Sequence, residues 1–141
     1  LCVRLARQIA ADGEGATKLI EVCAANAATQ EDARKVVRAI STSPLVKTAV
    51  YGEDANWGRI LCAAGYSGAE FEPARVSVYL GDLPVYRQGS RIPFDEGRAK
   101  EILRASEVRI TVDLGAGSET ATGWTCDLTY DYIKINASYR T

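Results

Sequence analysis

The 141-residue sequence contains no histidine, and this absence excludes several kinds of active site. Serine–histidine–acid triads, cysteine–histidine nucleophile pairs and histidine-ligated metal sites all need an imidazole group. Acid–base chemistry in this protein therefore has to come from carboxylates, lysine, tyrosine or a group on another chain.

Cysteine pairs with the close spacing of metal or redox motifs are also missing. Cys2, Cys23, Cys62 and Cys126 lie 21, 39 and 64 residues apart, so no two of them form a CxxC pair. We expect all four to be reduced and buried, which indicates a reducing compartment.

Strong net charge and long apolar runs are missing as well. Lysine and arginine total 17 against 18 aspartates and glutamates, so the basic surface typical of a nucleic-acid binder is not expected. No apolar run approaches the roughly 20 residues that cross a bilayer, and no signal-peptide pattern opens the chain. We expect neither a nucleic acid nor a membrane as partner.

The chain has no methionine and begins at Leu1. Its opening segment has apolar and small side chains at helical spacing, without a capping residue before the first turn. We interpret the chain as the C-terminal product of a cleavage, or as a piece of one. The side chains of this stripe are those of Cys2, Leu5, Ala6, Ile9 and Ala10.

The N-terminal half predicts a helix, a buried strand and further helices. The first helix should end near Asp12, and residues 17–25 read as a strand whose two sides are both mostly apolar, so both faces should be covered. Thr29 should cap the second helix, and Ser41-Thr42-Ser43-Pro44 should break or restart it. The following residues 45–52 fit either a strand or a helix.

The C-terminal half predicts hairpins around one further helix. Alternating apolar residues begin at Val76 and again at Val108, and Gly81-Asp82 and 115–118 read as turns to partner strands. Asp95 should cap the helix between the two hairpins. Together the two halves predict an α+β fold, layered, with a mixed to antiparallel sheet packed with helices and a single domain over residues 1–141.

Two loops are candidates for a functional site. Glu14 lies between Gly13 and Gly15, and one hypothesis is that it binds a cationic group such as an ammonium; the alternative is a structural turn, and the spacing does not fit a phosphate-binding loop. The segment 51–59 is either a helix start capped by Asp54 or a site wall whose helix-end amides receive an anion.

The C-terminal tail is a third candidate. Residues 127–140 are rich in polar side chains, which usually marks a frayed end. The alternative hypothesis is that four apolar side chains anchor the tail and draw it inward, and a docked tail would bring Asn136, Thr141 and the α-carboxylate into a cleft. These anchors are Tyr132, Ile133, Ile135 and Tyr139.

Three stretches together carry a resemblance to a known family. DGEGATKLIEV, SPLVKTAVYGEDANWGRI and the closing CDLTYDYIKINASYRT resemble signature blocks of the ornithine acetyltransferase (glutamate N-acetyltransferase) family, in that family's order and across the whole chain. The chain is similar to the C-terminal part of that family's β chain, and the implied fold is the layered ornithine acetyltransferase/DmpA-like type.

The resemblance implies a specific reaction. Family members are made as one precursor that cuts itself before a threonine, and the new N-terminal threonine takes the acetyl group from N2-acetyl-L-ornithine and passes it to L-glutamate. Some members also accept acetyl-CoA. The implied setting is arginine biosynthesis in the cytoplasm, or in the mitochondrial matrix if the source is fungal. The implied assembly pairs this chain with an α chain as α2β2, without a metal or a bound organic cofactor.

Carried over residue by residue, the resemblance places substrate binding at Glu14, Asn136 and Thr141. Glu14 would meet the positive group of the substrate, and Asn136 and Thr141 would orient its polar ends. The segment 51–59 is expected to be architectural. The family's nucleophilic threonine should lie upstream of Leu1, so the expectation is that no catalytic residue is in this chain and that the chain alone is inactive.

Two alternatives stay open at this point. One is a related acyltransferase of secondary metabolism with another acyl acceptor, and the other is a non-catalytic interaction module that keeps the fold without the chemistry.

Overall fold

The computed structural model describes residues 1–138, which form a single six-stranded mixed sheet with helices packed on it. The predicted α+β class is confirmed. In chain order the elements are α1 (Cys2–Ala11), β1 (Leu19–Ala27), α2 (Gln30–Ser41), α3 (Pro44–Tyr51), α4 (Trp57–Gly65), a 3-10 turn (Pro73–Arg75), β2 (Ser77–Leu80), β3 (Leu83–Arg87), β4 (Ser90–Arg91), α5 (Glu96–Arg104), β5 (Glu107–Asp113), β6 (Glu119–Cys126) and α6 (Tyr130–Ser138).

The sheet order is β4-β3-β2-β5-β1-β6, with β1 and β5 parallel and every other neighbouring pair antiparallel. The hairpin β2–β3 was predicted correctly. The predicted return of β5 onto β6 is wrong, because β1 lies between them. The connection crosses the end of β1, where the N–H groups of Ala116 and Gly117 donate to the Asn26 carbonyl at 2.8 and 2.9 Å.

Both faces of β1 are covered by helices, as predicted. Val22 is fully buried on the face toward α2, and a Cβ at Gly123, its partner on β6, would lie 2.7 Å from Val37 of α2. On the opposite face, Arg7 of α1 donates to the Glu21 carboxylate at 3.1 Å. Two-sided coverage explains why β1 lacks the strict polar alternation of a half-exposed strand.

The helix boundaries after β1 follow the predicted capping residues. Thr29 accepts the N–H of Asp32 at 3.0 Å and begins α2. Ser43 accepts the N–H of Val46 at 3.3 Å and begins α3, with Pro44 at its first position. The segment 45–52, whose sequence fitted either a strand or a helix, is mostly helical. Ser43 supplies the cap, and the fixed φ of Pro44 suits the first position of a helix.

The apolar stripe of α1 is largely exposed. Leu5 keeps 47% of its surface accessible and Ile9 keeps 75%, and α1 contains no buried residue. The expectation that all four cysteines are buried is also wrong, since Cys2 and Cys62 are exposed, Cys126 is half-buried and only Cys23 is buried. All four are free thiols, as expected.

Across residues 1–138, none of the helices combines the length and the apolar character that crossing a bilayer requires.

Candidate functional site

The loop between α1 and β1 lies directly against the first turn of α6. Gly15 has φ +68°, and a Cβ at this position would lie 2.5 Å from the Tyr132 amide nitrogen. Glycine suits this position because it adopts the left-handed backbone without strain and has no Cβ to collide with the α6 backbone. Gly15, the glycine after Glu14, therefore serves the packing of this loop on α6, which the sequence alone did not reveal.

Asp127, directly after β6, fixes the position of this loop through its side chain. Its carboxylate is 3% exposed and accepts the N–H of Thr17 at 2.8 Å and the N–H of Lys18 at 2.9 Å. The Thr17 hydroxyl donates to the second carboxylate oxygen. Hydrogen bonds to an ionised acceptor are among the stronger ones in proteins, so a buried carboxylate with three donors fixes the loop backbone.

Thr129 makes the second connection between the loop and α6. Its hydroxyl donates to the Gly15 carbonyl at 2.6 Å and accepts the N–H of Tyr132 at 3.2 Å. The second contact has the form of an N-terminal cap. A single buried hydroxyl thus sets both the start of α6 and the position of the loop.

The result of these contacts is that two of the residues implied by the resemblance lie together. The Asn136 amide donates to Glu14 Oε2 at 2.9 Å across 122 residues of sequence. The same amide also donates to the Tyr132 carbonyl at 2.9 Å, one turn earlier in α6. The third residue implied, Thr141, lies outside the described residues.

The chemistry available at this pair is binding of a cation. Glu14 and Asn136 are exposed, and in the part of the chain that the structure describes Glu14 Oε1 accepts no hydrogen bond. A carboxylate with one oriented oxygen and one free oxygen can accept an ammonium group. Thr17 does not offer a nucleophile, because its hydroxyl is bonded to Asp127 and its nitrogen is a peptide nitrogen.

The segment 51–59 borders this region, where the Tyr51 ring meets the Tyr130 ring edge-on with centroids 5.7 Å apart. Directly before the segment, the Val50 carbonyl accepts a bond from Lys18 Nζ at 2.9 Å. Asp54 does not cap α4, contrary to one expectation. Asn56 caps it instead, accepting the N–H of Arg59 at 3.1 Å, because the chain makes a further turn after Asp54.

Glu53 has the one clearly shifted acidity among the described side chains. The hydrogen bond from the Arg104 guanidinium, together with the positive charges of Arg104, Lys18 and Lys100, holds the pKa of Glu53 below its ordinary value. Glu53 also has φ +56° at the position after the C-cap of α3, where glycine is usual. The Arg104 contact is an interaction that a glycine at this position could not make.

The hypothesis of apolar anchors is wrong for Tyr132, which is 43% exposed, and for Ile133, which is 60% exposed. Ile135 is half-buried, and α6 buries none of its described residues. The tail is instead drawn in by the polar contacts of Thr129 and Asn136. Tyr139 lies outside the described residues.

Sequence reasoning did not assign Asp127 and Thr129 to the site. A threonine directly before a helical segment is a capping signal, and this could have indicated the start of α6. No local pattern could have indicated that both side chains bond a loop more than 100 residues away. Within residues 1–138 the structure contains no group of three or more acidic, cysteine or histidine side chains arranged to bind a metal ion.

Comparisons with known proteins agree on one family. The model of the ArgJ family matches residues 1–141. The Arginine biosynthesis bifunctional protein ArgJ of Symbiobacterium thermophilum is 61% identical over 139 residues, which cover 99% of this chain and 35% of that protein. The protein of the same name from Caldanaerobacter subterraneus is 59% identical over 141 residues, which cover 97% of this chain and 35% of that protein.

A solved structure gives the same result. The crystal structure of Arginine biosynthesis bifunctional protein argJ from Bacillus halodurans superimposes with a TM-score of 0.95 at 50% identity. The match covers 98% of this chain and 65% of that one. The chain thus spans about a third of the length of the curated relatives that it matches.

Proposed function

The chain belongs to the ArgJ family, and on that premise we propose that it is the C-terminal part of the β chain of an acetyltransferase of arginine biosynthesis. The proposed reaction moves the acetyl group of N2-acetyl-L-ornithine to L-glutamate and yields L-ornithine and N-acetyl-L-glutamate. Two relatives more than half identical to the chain carry the name arginine biosynthesis bifunctional protein, which supports this choice.

The proposed nucleophile is an N-terminal threonine outside this chain, released by autocatalytic cleavage of a precursor. Its hydroxyl attacks the acetyl carbonyl, the amide C–N bond breaks, and the departing ornithine amine takes the proton. Glutamate's amine then attacks the acetyl ester, the C–O bond breaks, and the threonine hydroxyl is restored. The threonine's own α-amine serves as the base, which suits a chain without histidine.

The oxyanion of each tetrahedral intermediate is stabilised, in this proposal, by donors that come largely from the α chain. The assembly is an α2β2 heterotetramer in the cytoplasm. The term bifunctional in the relatives' names also fits a second reaction, synthesis of N-acetylglutamate from acetyl-CoA.

The part of this chain in the reaction is substrate binding. Glu14 receives the positive group of the substrate, Asn136 orients Glu14 and a polar end of the substrate, and Thr141 contributes at the chain end. The observation that supports this is the 2.9 Å bond between Asn136 and Glu14, on a loop held by the buried Asp127.

The test is Glu14→Gln in the complete two-chain enzyme. Losing the carboxylate charge opposite an ammonium group should lower kcat/KM for N-acetylornithine by about 10- to 100-fold, mainly through KM. Glu119→Gln is the matched control, because Glu119 is an exposed glutamate at the start of β6, and it should leave both constants unchanged.

Two results would contradict the proposal. Kinetics of Glu14→Gln equal to those of Glu119→Gln would favour the non-catalytic interaction module. A clear preference for an acceptor other than glutamate, in a screen of amines against the complete enzyme, would favour the acyltransferase of secondary metabolism.

A further inference from the structure

A polar cleft of about 890 Å³ lies at the end of β1 opposite the loop that carries Glu14. We call it the Asp113 cleft. It opens where the parallel strands β1 and β5 end, and β2 and the β3–β4 turn complete its wall. The lining side chains used below are those of Asn26, Arg75, Ser77, Arg87, Gln88 and Asp113.

The walls of the Asp113 cleft are closely fitted segments with unusual backbone conformations. Asn26 has φ +53° and Gln88 has φ +44°, so two of the three non-glycine residues with positive φ in the described chain line this cleft. A Cβ at Gly115 would lie 3.0 Å from the Arg75 Cβ. Strained positions of this kind cost free energy and are concentrated at functional sites.

The charged groups of the Asp113 cleft are of both signs and are not paired with each other. Among the described residues, the guanidinium groups of Arg75 and Arg87 take part in no ion pair. Each oxygen of Asp113 accepts one bond at 2.9 Å, Oδ2 from the Asn26 amide and Oδ1 from the Gly115 N–H. Those two bonds orient the carboxylate and leave lone pairs on both oxygens for a ligand.

The buried hydroxyl of Ser77 adds a donor to the same wall. Ser77 is 6% exposed, and its oxygen accepts the Gln88 N–H at 3.0 Å. Among the described residues the hydroxyl donates to no acceptor, so its hydrogen is available to a ligand. The Asp113 cleft therefore offers two guanidinium groups and a hydroxyl for an anion, and one oriented carboxylate for a donor.

We propose that the Asp113 cleft binds a small carboxylate that carries a hydroxyl or ammonium group on the neighbouring carbon. The carboxylate of the ligand pairs with Arg75 and Arg87, whose planar donors suit a carboxylate. The hydroxyl or ammonium group donates to Asp113. A ligand with both groups gives the guanidinium groups a carboxylate and gives Asp113 a further hydrogen-bond donor, whereas a simple anion offers Asp113 no donor.

The test is calorimetric titration of the complete two-chain enzyme with three probes of matched size: propionate, L-lactate and L-alanine. Lactate and alanine should bind at least about 5-fold more tightly than propionate, because only they can donate to Asp113. Arg87→Gln should weaken lactate and alanine at least about 10-fold, because a charge-assisted contact is lost. The control Arg34→Gln replaces an exposed arginine of α2 that does not line the Asp113 cleft and should change nothing.

The same titrations in a Glu14→Gln background separate this cleft from the proposed substrate site. Binding that persists in Glu14→Gln and disappears in Arg87→Gln supports the proposal. Three results overturn it: no binding of lactate or alanine to the wild-type enzyme, propionate binding as tightly as they do, or binding that depends on Glu14 and not on Arg87.

Discussion

Asp127 is a buried carboxylate whose three described hydrogen-bond donors all belong to Thr17 and Lys18. These two residues directly precede β1 and follow the loop that carries Glu14. The position of Glu14 therefore depends on a side chain that does not itself reach the substrate in our proposal, and Asp127 is a positioning residue.

Asp127→Asn should weaken this support, because an amide has one acceptor oxygen where the carboxylate has two. We expect a loss of about 1–3 kcal/mol in the free energy of unfolding and a rise in KM for N-acetylornithine that exceeds any fall in kcat. Denaturant melts and steady-state kinetics of the complete enzyme measure both. Asp12→Asn, an exposed position in the same loop, is the control; equal KM values for the two variants would contradict a positioning role.

Glu53 should contribute a pH-dependent term to stability. Its folded pKa is lowered from the ordinary 4.5, mainly by the hydrogen bond from Arg104, so the ionised form is favoured in the folded protein. A lowered carboxylate pKa stabilises the fold above the unfolded pKa, and this contribution is lost as the pH falls through the lowered folded pKa. Glu53→Gln should therefore reduce the melting temperature at pH 7 and have progressively less effect in acid below pH 4.5. A difference in melting temperature between Glu53→Gln and the wild type that stays constant with pH would contradict this prediction.

At the scale of elements, α6 is attached to the body mainly by polar contacts, at its start and at Asn136. Its side chains are exposed or half-buried, and its contacts run through Thr129, Asn136, the edge-on Tyr51–Tyr130 ring pair and the close approach at Gly15. A helix held in this way depends on backbone fit more than on apolar burial.

Gly15→Ala should separate the loop from α6. The new Cβ would lie 2.5 Å from the Tyr132 nitrogen, in a backbone with φ +68°. Gly68→Ala is the control for backbone strain alone, because Gly68 has φ +78° and nothing within 4 Å of the added Cβ. Strain should cost each variant about 1 kcal/mol, and Gly15→Ala should cost about 1–3 kcal/mol more and expose the α6 amides to hydrogen exchange. Equal losses of stability in the two variants would show that the close approach of Gly15 to Tyr132 adds nothing to the cost of backbone strain.

At the scale of the whole molecule, our proposal gives this chain a substrate-binding surface and places the nucleophile in another part of the protein. The chain covers 35% of the length of its curated relatives, and the proposed nucleophile lies outside it. The helix α1 contacts the sheet on the face opposite α2, and its apolar side chains Leu5 and Ile9 remain exposed.

The isolated 141-residue chain should therefore fail to turn over N-acetylornithine, whereas the complete two-chain enzyme should be active. Chromatographic detection of released ornithine measures both. Intact mass and N-terminal sequencing of the natural polypeptide provide the companion measurement: its β product should begin with a threonine upstream of Leu1. Turnover by the isolated chain, or a natural chain that begins at Leu1, would contradict the proposed mechanism.

Local sequence patterns determined most element boundaries. Thr29 and Asp95 begin helices where predicted, because a cap depends on a side chain and on amides only three residues away. At Ser43-Pro44, where the sequence allowed either a break or a restart, the helix restarts. The alternation in β5 predicted its half-buried position for the same local reason, since neighbouring side chains of a strand point to opposite faces. The prediction that Asp54 caps α4 failed because a second capping residue, Asn56, follows two positions later and caps the helix instead.

Only the tertiary structure decided the strand order and the assembly of the site. A turn at 115–118 suits a hairpin, yet β1 pairs with both β5 and β6, because long-range pairing and burial of β1 on two faces outweigh the local preference. The resemblance implied Glu14 and Asn136 one by one, but their contact depends on Asp127 and Thr129, whose partners lie more than 100 residues away. The sequence by itself determined most of the helices and strands, because their patterns are local, and the packing of the whole chain decided which of their ends meet.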